Sequence, residues 1–307
     1  MTNEVSAVCE WTSEAAALRN FGSFYGKTQS AKHIKPLHWY VACRLVVEGG
    51  FHPDDITPRP PFRVRQKSGL ARTLEFDASL AGKGEQAILG GLKTKNVDVV
   101  VSKRGLGPVL AISCKGVTRA LRNLTNRMEE TIGECTNLHI TYPALVLGYF
   151  VVIRANRRAT IELEEAMDEV TAEDPDDADM SPTELAENDI VIGDDEAPVP
   201  SIVRFHNALA EMTGRQGIRS ELSRYEAIGL SIVETDPANL GSMFEAFPDT
   251  GSPLYVRNFF ERLYLKYDER FVVSAPELAK ETRRIQWKTK SPGLKLPGLD
   301  YVPRTAE

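Results

Sequence analysis

An α/β fold, with a mixed central sheet flanked by helices, is predicted by three features of this 307-residue chain. Two β-rich segments, NVDVVVS and PVLAISCK, stand on either side of the short glycine-bearing link KRGLG, the pattern of a hairpin. A continuous apolar run, PALVLGYFVVI over residues 143–153, has the character of a strand buried on both faces. Stretches with apolar residues at three- and four-residue steps alternate with these strands. Strand, helix, strand, helix, strand in that order makes at least part of the sheet parallel.

Residues 1–76 form an N-terminal region packed on the core, with helices expected in SEAAALRNF and in KPLHWYVACRLVVEGG, the latter closed by a glycine pair. FHPDDITPRPPF is broken by proline and reads as loop or edge structure. The core unit, 77–158, opens with GEQAILGGL, read as a helix, and continues into the hairpin, whose turn is centred on Gly105-Leu106. That centre sets Asp98 opposite Ser113. A long helix is expected next, carried by Val117, Leu121, Leu124, Met128, Ile132, Cys135 and Leu138 and ended by Thr141-Tyr142-Pro143. After the 143–153 strand, residues 159–198 form an acidic insert expected to be disordered. Residues 199–235 resume the core with a helix in SIVRFHNALAEMTG and a strand in YEAIGLSIVET; residues 236–307 hold a helix, VRNFFERLYLKY, and a basic tail, KETRRIQWKTKSPGLK, read as a DNA-recognition segment.

A content of 42% hydrophobic and 26% charged residues is that of a soluble globular protein. No run approaches the roughly 18 apolar residues of a membrane span, and the first residues lack the basic-then-apolar layout of a secretion signal, so a cytoplasmic location is expected. Cys9, Cys43, Cys114 and Cys135 lie far apart without a C-x-x-C pair, which argues against zinc and disulfides and for reduced core residues. The net charge of -6 hides an asymmetry: residues 160–197 hold sixteen Asp and Glu and no Lys or Arg, leaving 37 basic side chains against 27 acidic ones elsewhere. A basic body of this kind suits a polyanionic partner.

Within VDVVVSKRGLGPVLAISCKG (97–116) an aspartate and a lysine interrupt an apolar hairpin. An ionised side chain in such surroundings needs a partner or a metal. Strand alternation puts Lys115 on the face of Ser113, with Leu110, Ile112 and Cys114 turned to the core, and makes Asp98 and Lys115 diagonal neighbours. An ordinary cross-strand salt bridge would satisfy both. The spacing D-x14-S-x-K, with a helix before the hairpin and a helix and strand after it, resembles the PD-(D/E)xK nucleases, over about residues 80–155. The resemblance is closest to type II restriction endonucleases with a Ser-x-Lys variant, and it implies a restriction-endonuclease-like fold.

In that family an acid precedes the lysine; here Ser113 stands in its place. The variant enzymes recruit a glutamate from the following helix about fourteen residues past the lysine, which is Glu129 here. The resemblance further implies Asp98 as central metal ligand with Glu129 and the Cys114 backbone carbonyl, Glu85 as an assisting acid with Asp77 its rival, and Lys115 as the group that orients water and offsets charge. Mg²⁺ would be the cofactor, double-stranded DNA the substrate, and a homodimer the active form. Arg119, Arg122, Asn123, Asn126 and Arg127 make a basic, amide-rich helix face suited to phosphates and base edges. The alternative is a non-catalytic DNA-binding protein that retains a degenerate nuclease fold, which Ser113 favours because a serine does not replace a carboxylate on a hard cation.

Overall fold

The computed structural model describes residues 11–24, 32–65, 71–82, 84–119, 124–159, 161 and 189–306, with side chains in the helix from 124 described from Arg127 onward. Two helices come first: α1 (Glu14–Gly22) and α2 (Lys35–Val47). Ser13 caps α1 by accepting the Ala16 amide, and Pro36 in the first turn of α2 costs no intrahelical bond. Helix α2 is buried almost all round, as expected of a helix enclosed within a core.

The proline-broken stretch supplies β1 (Ile56–Thr57), a short edge strand, and β2 (Phe62–Arg65), which pairs with β3 (Thr73–Phe76). A five-stranded mixed sheet forms the centre, in the order β1, β6 (Val99–Lys103), β7 (Gly107–Val117), β8 (Val146–Arg154), β9 (Ala227–Val233). β1, β6 and β7 run antiparallel, while β7, β8 and β9 run parallel. The parallel crossovers pass through α3 (Leu124–Thr141) and α4 (Pro200–Glu211). One face of the sheet packs on α1, α2 and α5 (Phe259–Asp268), the other on α3 and α4. β8 is buried at every position because both faces are covered.

Three sequence expectations are corrected here. GEQAILGGL is not a helix: β4 (Gln86–Leu89) and β5 (Thr94–Val97) form a hairpin whose turn is closed by the Gly90 amide on the Lys93 carbonyl. Gly90 is needed because Asn137 of α3 lies against it; a Cβ there would meet the Asn137 amide at 2.2 Å. The turn of the central hairpin is centred on Arg104-Gly105, with the Leu106 amide on the Lys103 carbonyl and Gly105 at φ 81°. A bulge between Val101 and Ser102 compensates, so that Val99 faces Ile112 in the register inferred for the hairpin, with Asp98 in the bend just before the ladder begins. Finally, Val117 belongs to β7, and Ile132 is 42% exposed, so neither lies on the buried stripe of α3.

Most of the acidic insert, including the disorder expected for it, lies outside the described residues. Its last part is fixed: Asp189 pairs with Arg119, and the Asn156 side chain donates to the carbonyls of Thr118 and Asp189. The C-terminal segment folds back on the first two helices. Asp300 accepts the amides of Glu14 and Ala15, Tyr301 donates to the Thr12 carbonyl, and the buried Trp287 indole donates to the Val46 carbonyl. Cys43, Cys114 and Cys135 are buried. Among the described residues no helix is long and apolar enough to cross a membrane.

Candidate functional site

Asp98 sits at the mouth of β6, where the bulged hairpin leaves its carboxylate facing β7. Its Oδ2 accepts the Cys114 amide at 2.7 Å. A strand residue presents its amide and carbonyl to the same neighbour, so the Cys114 carbonyl also leaves toward the Asp98 side while its thiol enters the core. Ser113 is 1% exposed and its hydroxyl donates to Glu134 of α3. Lys115 lies on the same face, half-buried, with Glu134 and Asp98 its strongest favourable charges.

Three side chains converge on one point at the hairpin end. Ligand atoms of His38, Glu85 and Asp98 all lie within 4.8 Å of one another, the one such group of three among the described residues. Glu85 comes from the extended residues before β4 and is exposed; Asp98 is half-buried; His38, on α2, is 6% exposed. Its Nε2 is buried without a hydrogen-bond partner and stands 3.6 Å from Asp98 Oδ1. Burial drives the imidazole pKa down to about 4, against the pull of Glu85 and with the push of Lys115 and Lys35. It is therefore neutral at physiological pH.

Burial also raises the Asp98 carboxyl, opposed by Lys115 and by the Cys114 amide. For Lys115, burial disfavours the charge but Glu134, Asp98 and Glu130 outweigh it, and the net shift is upward. The amine stays protonated. Around it α3 contributes Glu130 and Glu134, one helical turn apart, and β5 contributes Lys95, whose Nζ lies 2.8 Å from Glu134 Oε2 and 3.3 Å from Glu130 Oε1. Asn137 positions that strand by accepting the Leu92 and Lys93 amides and donating to the Lys93 carbonyl.

The expected residues divide accordingly. Asp98, Ser113, Lys115, the Cys114 backbone and Glu85 are brought together. Glu129 is exposed, and the acids that α3 directs at Lys115 are Glu134 and Glu130. The buried positions of α3 include the polar Thr131, Glu134 and Asn137 beside Cys135 and Leu138, which turns the buried face toward Glu130 and away from Glu129. Asp77 is bound to Arg63 and Ser79, away from this group. Arg119 is engaged by Asp189, and Arg127 is half-buried with its Nε unpartnered. Arg122, Asn123 and the side chain of Asn126 lie outside the described residues. Sequence reasoning missed His38, Lys95 and Glu134. Comparison of the chain with protein-family models, with curated proteins and with solved structures returns no match.

Proposed function

We propose that this chain is a divalent-metal-dependent endonuclease of double-stranded DNA with a restriction-endonuclease-like fold, acting in the cytoplasm as a homodimer. The observation that carries the reading is the meeting of Asp98 and Glu85 with a buried, neutral and unpartnered His38 imidazole beside the Lys115 ammonium. Ligands at about 2.1 Å from one ion stand about 3 to 4 Å apart, so a group spanning 4.8 Å needs only a small closure to hold one. His38, Glu85 and Asp98 would hold the ion, with the Cys114 carbonyl alongside. Two carboxylates suit Mg²⁺, and the added imidazole favours Mn²⁺.

When bound, such an ion supplies Lewis-acid chemistry to the phosphodiester. The chain's own groups do the rest. Lys115, kept protonated by the acids around it, donates to phosphate oxygen and offsets the charge that grows there in the transition state; it is not a general base. Asp98 is fixed by the Cys114 amide, so its free oxygen is aimed before any ligand arrives. Ser113 acts at one remove, holding Glu134 against the underside of Lys115. The basic excess outside residues 160–197 supports a polyanionic substrate.

The test is incubation of supercoiled plasmid with the protein and Mg²⁺ or Mn²⁺, beside a chelator control and Asp98→Asn. Metal-dependent nicking or linearisation that Asp98→Asn loses while still retarding DNA is the expected result. DNA retardation by wild type without cutting in either ion would replace this reading with the non-catalytic DNA-binding one.

A further inference from the structure

Lys95, on β5, holds the two carboxylates that α3 presents to Lys115. Its Nζ bridges Glu134 Oε2 and Glu130 Oε1, two carboxylates one turn apart on the same helix. The other Glu134 oxygen is taken by the Ser113 hydroxyl. Both oxygens of the 2%-exposed Glu134 side chain are thus already engaged by protein donors. We propose that Lys95 is a built-in second cation, and that the site therefore binds one divalent ion per chain, at His38, Glu85 and Asp98. This rests on the metal reading given above.

A second ion would have to displace an ammonium from a buried carboxylate. It would also meet the Lys115 charge, which already acts against Lys95. The hairpin of β4 and β5 sets this arrangement, because Asn137 ties it to α3 one turn beyond Glu134.

Mn²⁺ titration of the full-length chain near neutral pH, counting bound ions by electron paramagnetic resonance of the free ion, tests the proposal without reference to activity. The expected stoichiometry is one for wild type, two for Lys95→Gln, and one again for Lys95→Gln combined with Glu134→Gln. Glu134→Gln alone should keep one ion with affinity within about threefold of wild type, since Glu134 is not a ligand; this variant keeps the question decidable if Lys95→Gln does not fold. Two ions on wild type, one ion on folded Lys95→Gln, or loss of the ion in Glu134→Gln would each overturn the role of Lys95 and leave the His38 site standing. No ion on wild type would remove the metal reading itself, and this inference with it.

Discussion

Two clusters of charge are buried in this protein, and they are built on opposite terms. Around Glu226 opposite charges meet: Arg215 and Arg270 approach Oε1 at 3.1 and 2.6 Å, the Leu147 amide donates to Oε2 at 2.6 Å, and His139 stands 3.6 Å away. Arg215 spends its remaining donors on the carbonyls of Pro143, Ile218 and Ser220. Around Asp98, by contrast, an imidazole nitrogen has no partner and Glu85 opens to solvent. The first cluster locks β8, β9, the end of α3 and the turn after α5 together. The second leaves a buried imidazole nitrogen unmet beside two carboxylates.

The contrast can be broken by four measurements, taken from the largest expected effect. Asp98→Asn should lower plasmid cleavage by about 10³-fold or more, in line with loss of a group that acts on transition-state charge, with the urea midpoint unchanged or raised, since burial already disfavours that carboxylate. Glu226→Ala should do the reverse. Stranding two buried arginines costs about 3 to 5 kcal/mol in urea unfolding, while cleavage per folded molecule is retained.

In chelator, stability should fall as pH drops from about 6.5 to 4, by on the order of 3 kcal/mol, because the unfolded chain protonates His38 while the folded one, with a value of about 4, does not. His38→Gln should flatten that limb; an unchanged slope would assign it elsewhere. Glu226 adds a separate limb further into acid. Burial would raise it, but His139, Arg270 and the Leu147 amide prevail and hold it below 4.5, so its contribution is present above that value and lost as pH falls through the folded pKa. Smallest, Ser113→Ala should cost about 2 kcal/mol for the hydrogen bond to a buried carboxylate and reduce cleavage less than tenfold, as measured on the same plasmid.

How far the sequence revealed these clusters depended on sequence separation. Asp98, Ser113 and Lys115 lie on one hairpin, where a period of two and a turn define which side chains share a face, and even a turn placed one residue off gave the right register because a bulge absorbed the difference. His38 left no such trace. It sits on a helix whose buried positions run almost all round, so nothing in its spacing marks it, and it meets Asp98 only through the packing of α2 on the sheet. Glu134 was obscured because the buried face of α3 is partly polar, with Thr131, Glu134 and Asn137 beside Cys135 and Leu138, and an apolar pattern does not mark such positions. Lys95 was lost with the mistaken helix in GEQAILGGL, where helix-favouring Glu, Gln, Ala and Leu outweighed a Gly-Gly turn.

The hold of Trp287 on the last carbonyls of α2, together with Asp300 and Tyr301 on the start of α1, bears on how the molecule comes to life. The helix that carries His38 is made among the first fifty residues, yet its anchors arrive some 240 residues later. A ribosome-bound chain would hold the hairpin acids long before the imidazole is clamped beside them, so the complete constellation is an attribute of the finished polypeptide alone.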